Sequence, residues 1–355
     1  MPPMTRPDVM HPPVLDPTPI FELVRGSFAT ELLAAAVVGF DVFGRLAGGP
    51  MPEAALAEAV GLKPRPAAVL FTALRAMGLL VRDPEGRLAL ADLARDHLVP
   101  GGEFDVGGYV GLAGGSPGVR EMIARLRSDR PAGADVPEAG AAFIYREGLE
   151  SAMEKEADAR RLTLALAGRA RVVAPVLADR VPLPGVRRLI DVGGGTGLYS
   201  IALLQRNPGL RAVVWDRPEV LKVAAEFAAK FGVADRLECI PGDMFADPFP
   251  AGGDVVLLSN VLHDWAEPEC RRLLARCAEA LPTGGRALIH DVFLDDDLGG
   301  PLPVALYSAA LFSLTEGRAY SAGEYRTWLA DCGFAPSGGT VATLVHCGVL
   351  AAVKR

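Results

Sequence analysis

The rhythm of hydrophobic and polar positions changes near residue 184. Beyond it, short runs rich in β-branched residues alternate with amphipathic stretches. RRLIDVGG, RAVVWD, LECIPGD, DVVLLSN and RALIHDVF read as strands, and TVATLVHCGVLAAVK as terminal strand material. GLYSIALLQRNP, EVLKVAAEFAAKFG, ECRRLLARCAEAL and SAGEYRTWLADCGF read as the helices between and after them. Such alternation predicts a mostly parallel sheet covered on both faces, the doubly wound α/β class. Before 184 the pattern is helical. Residues 27–47 are apolar nearly all round, which predicts a helix buried on several sides, in a core or against another subunit. Residues 51–99 spell two helices and two short apolar runs around a DPEG turn, the outline of a winged helix. Residues 100–140 are Gly- and Pro-rich connections around one short helix near 119–128, and 141–180 read as helical. Pro182 and Pro184 close that segment, so a mainly α-helical domain is expected over 1–184 and an α/β domain over 185–355.

Charge narrows the partners. The net charge of −7 divides into 20 Lys/Arg against 23 Asp/Glu over 1–185 and 16 against 20 beyond. Neither half is basic. The winged-helix segment, residues 50–99, carries six basic and six acidic side chains, where phosphate binding needs clustered positive charge. Nucleic acid is therefore not an expected partner, and packing or dimerisation is the expected use of the segment. The apolar run over 32–40 is nine residues, too short to span a bilayer, and the Pro-rich start lacks the apolar core of a signal peptide. Five cysteines without a C-x-x-C pair fit reduced thiols, hence a cytoplasmic protein with no membrane partner.

Candidate chemistry collects where the strands end. The first ends in Asp191-Val-Gly193-Gly194-Gly195-Thr-Gly197, directly before a helix. Glycines there allow tight turning and close approach of a ligand to backbone N–H groups, although a plain loop reads the same way. The spacing is G-x-G-x-G, and Leu198 stands where a dinucleotide fingerprint would need its last glycine. Asp216 ends the second strand, 25 residues after Asp191, where a carboxylate can accept both hydroxyls of a ribose; a helix-capping acid before Arg217-Pro218 is the alternative. Asp243 follows the third strand, Asn260 and His263-Asp264-Trp265 the fourth, and Asp291 ends the fifth. Ligands of open parallel sheets bind outside these carboxyl ends, so the acids and His263 are expected on one rim. His290, adjacent to Asp291 on a strand, points to the other face and reads as core. His346 and Cys347 fall in terminal strand material, and Cys270 and Cys277 share a helix face. No H-E-x-x-H or C-x-x-C spacing suggests a metal, and no nucleophile elbow between a strand and a helix supplies a hydrolase serine.

DVGGGTG, the acid at Asp216, GDMF, NVLHDW and PTGGRALIHD together resemble the homodimeric S-adenosylmethionine-dependent O-methyltransferases of plant and bacterial secondary metabolism, over nearly the whole chain. The resemblance implies a Rossmann-like methyltransferase sheet after a winged-helix dimerisation domain, S-adenosylmethionine as cofactor, and a small, flat acceptor. It also implies a homodimer in which one subunit's N-terminal helices help close the other's pocket. By the same resemblance Gly193 and Gly195 approach the methionine portion, Asp216 takes the ribose, and Asp243 with Met244 frames the adenine. Asp191 and Asn260 belong to the same cofactor set. His263 stands at the catalytic base, Asp264 contacts the acceptor hydroxyl, and Asp291 orients the imidazole; no metal is implied. A phenol is mostly protonated at neutral pH, and a neutral imidazole suits the proton it must lose. A His beside an Asp at a helix entrance is also compatible with a purely structural role.

One segment departs from the family pattern. Where relatives carry GG-[KR]-E-R-[ST], this chain has Glu316-Gly317-Arg318-Ala319-Tyr320-Ser321, so Ala319 takes the place of a second acid. That keeps two alternatives open: C-methylation of a carbon acid, and a cofactor-binding relative that hydroxylates or decarboxylates. A winged-helix regulator with a vestigial sheet domain is the alternative from another class. Phe143, Tyr145, Met153 and Phe312 lie in segments resembling the substrate-lining helices, or else they pack helices together.

Overall fold

The computed structural model describes residues 8–130 and 156–355. Its chain divides into two compact units, and the chain crosses between them more than once. The first combines the start of the chain with Glu150–Phe293 and Ala322–Arg355. Its sheet contains β1 (Arg188–Val192), β2 (Arg211–Asp216), β3 (Leu237–Pro241), β4 (Val255–Ser259), β5 (Arg286–Leu294), β6 (Phe334–Ala342) and β7 (Cys347–Lys354), in the spatial order β3-β2-β1-β4-β5-β7-β6. The pairings from β3 through β5 are parallel, and β7 runs antiparallel to both β5 and β6. Ile190 and Leu189, neighbours on β1 with opposite facing, are both fully buried, as are Val255, Val256, Leu257 and Leu258 of β4. A parallel sheet buries successive residues like this only when both faces are covered, which explains why these strands read as unbroken apolar runs. Helix Glu156–Arg180 packs on helices Leu198–Arg206 and Pro218–Lys230.

The terminal strand material resolves into a hairpin, β6 and β7, whose first strand begins at Phe334. Asp291 does not end its strand. β5 continues three residues further, to Leu294. Yet β4 stops at Ser259, paired with His290, so Asp291 is the first residue of β5 to project past its parallel neighbour. Asp291 therefore reaches the carboxyl-end rim from within a strand, held on its other side by Gly348 of β7.

The second unit holds Pro19–Leu149 and Leu294–Ser321. Helices Glu53–Ala59 and Pro64–Ala76 are followed by an antiparallel pair, Leu80–Arg82 with Leu88–Leu90, the helix–turn–helix and wing read from the sequence. Asp83 builds the wing's turn by accepting the N–H groups of Glu85 and Arg87, and Gly86 supplies the left-handed residue. The single helix expected over 27–47 is broken. It runs Ser27–Ala34, widens into a π turn over Ala35–Gly39, and restarts as Val42–Leu46 beyond Asp41, whose φ is 50°. Two β-branched valines followed by a glycine explain the change, since they hold a regular helix poorly.

The return of Leu294–Ser321 to the helical unit, and the membership of Glu156–Arg180 in the sheet unit, depart from a single division at Pro184. The physical reason is packing. Helix Leu302–Leu314 has no polar face and lies against Pro64–Ala76. Arg65 secures its end by donating to Thr315 O (2.9 Å), Gly317 O (3.2 Å) and Asp129 Oδ1 (2.8 Å). Phe312 is fully buried under that guanidinium, 4.7 Å from ring centre to charge, in a packing position. Phe143, Tyr145 and Met153 lie outside the described residues. No helix among the described residues is long and apolar enough to cross a membrane.

Arg65→Met keeps the stem and removes the donors to three carbonyls and one carboxylate, the Nη2 bond to Asp129 O at 3.1 Å included. It is expected to lower unfolding free energy by about 2 kcal/mol, read as a lower denaturant midpoint at unchanged slope. An unchanged midpoint would show that this guanidinium does not hold the unit together.

Candidate functional site

The parallel strands β1 to β5 deliver their ends to one edge, and each end carries a polar residue for a local reason. After β1 the chain must turn sharply into helix Leu198–Arg206. Gly193, Gly195 and Gly197 do so with φ of 64°, 59° and 68°, values costly for a residue with a side chain. The turn is also tight on one side and open on the other. A Cβ on Gly193 would sit 3.0 Å from Val261 and 3.3 Å from the Met244 methyl, whereas one on Gly195 would meet nothing within 4 Å.

Asp191 lies fully buried beneath this turn. Its Oδ2 accepts the Ser200 hydroxyl at 2.7 Å and its Oδ1 has no hydrogen-bond partner. Burial pushes its carboxyl up to about 7, with the Asp216 charge adding to the effect and the Ser200 bond opposing it. Asp216 ties β2 to the same turn, for its Oδ2 accepts the Gly195 N–H at 2.8 Å and its Oδ1 the Arg217 N–H at 2.7 Å. Desolvation raises its pKa, while those N–H bonds and the Arg217 charge hold it back. An ionised carboxylate has about four acceptor sites, so two remain for hydroxyls of a ligand. Helix capping and ligand binding are thus compatible at Asp216.

Asp243 shapes its own turn. Its Oδ1 accepts the N–H groups of Phe245 (2.7 Å) and Ala246 (3.2 Å), which throws Met244 toward Gly193. Phe245 meets Trp265 edge-on at 4.9 Å, so the GDMF and HDW segments lock to each other through an aromatic pair. Asn260 adopts a left-handed φ of 56° immediately after β4. Its N–H donates to His290 O, its Nδ2 to Ser259, and its Oδ1 accepts from Arg169 at 2.7 Å. The Asn260 side chain is therefore engaged by protein partners and serves to set the turn that leads to His263.

His263 sits on a single 3₁₀ turn, Leu262–Asp264, and is 4% exposed. Its Nδ1 is 2.5 Å from Asp291 Oδ1, which also accepts the Val292 N–H at 2.8 Å. Its Nε2 lies 3.6 Å from Asp264 Oδ1. With Nδ1–H given to Asp291, Nε2 carries the lone pair, the tautomer a general base requires. Burial acts to lower the imidazole's pKa, but Asp291, Asp264 and the Asp291 hydrogen bond outweigh it, so His263 lies above its ordinary value. Burial pushes Asp264 up to about 7, against the pull of His263. The imidazole is thus held between two carboxylates, Asp291 on Nδ1 and Asp264 near Nε2.

His290, on the other face of β5, bonds Ser259 at 2.8 Å and Thr343 at 3.1 Å. Burial drives its pKa down to about 3, which fixes it as a neutral structural residue. His346 falls in the turn before β7, and the Cys347 sulfur lies 2.9 Å from Arg169. Cys270 and Cys277 are buried, as their shared helix face implied. Among the described residues no group of three His, Cys, Asp or Glu side chains is placed to hold a metal ion. Three participants escaped sequence reading: Ser200, Arg169 and Tyr325, whose hydroxyl lies 3.5 Å from Asp291 Oδ2. Each sits in a helix where its spacing signals packing or solvent exposure, and nothing local marks a role at a strand end.

The rim of a doubly wound sheet, a glycine turn backed by two acids and a carboxylate-held imidazole define the nucleoside-sulfonium methyltransferase class. Known proteins agree. The family described as O-methyltransferase domain matches residues 140–335. Over 326 residues, 91% of this chain and 90% of the relative, the sequence is 38% identical to 3-hydroxy-5-methyl-1-naphthoate 3-O-methyltransferase of Streptomyces sahachiroi. It is 32% identical to the tetracenomycin polyketide synthesis 8-O-methyl transferase TcmO of Streptomyces glaucescens, over 91% of this chain and 93% of that one. The crystal structure of an O-methyltransferase family 2 protein from Planctomyces limnophilus, in complex with apigenin, superposes with a TM-score of 0.88 at 46% identity, covering 99% of this chain and 100% of the other. The chain belongs to the O-methyltransferase family: it is an enzyme that transfers methyl from S-adenosylmethionine to a hydroxyl oxygen.

The rim fits such a cofactor on its own evidence. Gly195 faces open space, Asp191 Oδ1 is a buried acceptor without a partner, and Asp216 retains acceptor sites.

Gly193→Ala and Gly195→Ala should differ in stability. Both impose a left-handed alanine at about 1 kcal/mol, but only Gly193→Ala also drives a methyl against Val261 and Met244. Thermal unfolding is expected to show the larger loss for Gly193→Ala. Equal losses would mean that the Val261 side of the turn yields freely.

Proposed function

We propose that His263 is the general base of this transferase and that its acceptor is a small aromatic phenol. The observation that carries the reading is the 2.5 Å contact between His263 Nδ1 and Asp291, which leaves Nε2 basic. In this reading Nε2 takes the acceptor's hydroxyl proton as the oxygen becomes nucleophilic, and Asp291 stabilises the imidazolium that results. Asp264, near neutral protonation, contacts the acceptor hydroxyl and keeps it beside Nε2. Gly193 and Gly195 admit the methionine portion of the cofactor, Asp216 takes the ribose hydroxyls, and Asp243 with Met244 borders the adenine. Asp191 and Asn260 hold the two turns that shape this cradle. Arg169, on helix Glu156–Arg180 and bonded to Asn260 Oδ1, brings a cation to this rim. When bound, S-adenosylmethionine supplies a methyl group already electrophilic on its sulfonium, so the chain's task is alignment and proton removal. The aromatic acceptor is supported by the naphthoate and tetracenomycin named for the two relatives and by the apigenin in the solved neighbour.

The helical unit is the proposed dimerisation element. Helix Thr18–Arg25 presents Ile20, Leu23 and Val24 at 64%, 81% and 73% exposure, an apolar stripe at i, i+3 and i+4 that supports burial against a second copy. Five free thiols support a cytoplasmic location.

His263→Ala is expected to lower kcat by about 10²- to 10⁴-fold with cofactor binding intact. In the wild type the active form has neutral His263, so kcat/KM should rise with pH along a limb above 6.5, the ordinary imidazole value. Asp291→Asn should move that limb to lower pH, because the anion that raises His263 is gone. Full activity in His263→Ala, or a limb below 6.5 in the wild type, would dismiss the assigned base.

Sedimentation velocity is expected to give the mass of two chains, and Leu23→Glu with Val24→Glu the mass of one. A wild-type monomer would refute the dimer.

A further inference from the structure

We propose that Tyr325 is a positioning residue for the transfer: its hydroxyl donates to Asp291 Oδ2 and fixes the carboxylate rotation that presents Oδ1 to His263. The proposal rests on the reading of His263 as base and extends it to a residue outside every motif. Asp291 Oδ1 accepts twice, from His263 Nδ1 at 2.5 Å and from the Val292 N–H at 2.8 Å, whereas Oδ2 has the Tyr325 hydroxyl at 3.5 Å. A carboxylate engaged on one oxygen alone can pivot about its Cβ–Cγ bond and splay its partners. A donor on the second oxygen adds a fixed point off the Oδ1 contacts and stops the pivot. At 3.5 Å the bond is long, so its contribution is direction more than strength.

Tyr325 is suited to that task because it cannot move. It is fully buried on helix Ala322–Asp331, with its ring edge-on to Phe293 at 5.9 Å and 87° and to Trp328 at 5.3 Å and 89°. A buried phenol hydroxyl needs an acceptor, and Asp291 is one. The charged groups bearing on His263 are Asp291 from β5, Asp264 from its own turn, and Arg169 from helix Glu156–Arg180, whose cation opposes the two acids.

The test is a double-mutant cycle of Tyr325→Phe and Asp291→Asn, with His263→Ala as control. Imidazole nitrogen NMR on protein saturated with S-adenosylhomocysteine follows the His263 titration, and turnover is measured separately with S-adenosylmethionine as methyl donor and a hydroxynaphthoate as phenolic probe. Tyr325→Phe is expected to lower the His263 titration midpoint by about half a pH unit and kcat by about tenfold, with KM for the cofactor unchanged. In the Asp291→Asn background the same change should shift the titration no further. A wild-type midpoint in Tyr325→Phe, or an equal shift with and without Asp291, overturns the proposal. A fall in thermal midpoint with an unmoved titration reduces Tyr325 to a packing residue. Full turnover by His263→Ala would instead strike the base itself, a failure separate from that of Tyr325.

Discussion

An imidazole and a carboxylate removed from water at the same sheet edge answer each other through one hydrogen bond. Asp291 is 0% exposed and His263 4%, and a buried carboxylate left without donors would carry a desolvation penalty of several kcal/mol. Paired at 2.5 Å, they convert that penalty into a fixed tautomer with a basic nitrogen left over. Much of the sheet unit serves this contact. β4 must end at Ser259 so that the following turn can bring His263 back over β5, and β5 must run on so that Asp291 clears its neighbour. Asn260 in its left-handed conformation makes the reversal, and β7 anchors the far side of Asp291.

The cofactor side follows from the same edge. A parallel sheet puts every strand's carboxyl end on one rim, so residues far apart in sequence become neighbours without any local signal between them. Asp191 holds the glycine turn from below and Asp216 from the side, and Met244 closes on Gly193. The Phe245–Trp265 pair then joins the segment beside the glycine turn to the turn that carries His263, a distance of twenty residues in the chain and 4.9 Å in space. A change in one segment is therefore felt in the other.

How far this was legible in sequence depends on whether the signal was periodic or spatial. The strands β1 to β5 were readable because parallel burial makes them continuous apolar runs, and the glycines because a strand–turn–helix junction needs them. The rim acids followed from the strand ends. Helix Leu302–Leu314 was not read, since a segment apolar on every side has no period to detect, and its return to the helical unit set the division of the chain apart from Pro184. The π turn at Ala35–Gly39 is a local compromise that the apolar run conceals. Tyr325, Ser200 and Arg169 act across elements, and an aromatic or polar residue on a helix looks the same whether it packs, points to water or braces a carboxylate.

A crystal structure with S-adenosylhomocysteine and a phenolic acceptor tests the central claim most directly. The account predicts ribose hydroxyls on Asp216, and the acceptor oxygen beside the thioether sulfur at about 2.6–3.2 Å from His263 Nε2, with Nδ1 still on Asp291. An acceptor oxygen out of reach of that imidazole, or a nucleoside seated away from the glycine turn, would contradict it.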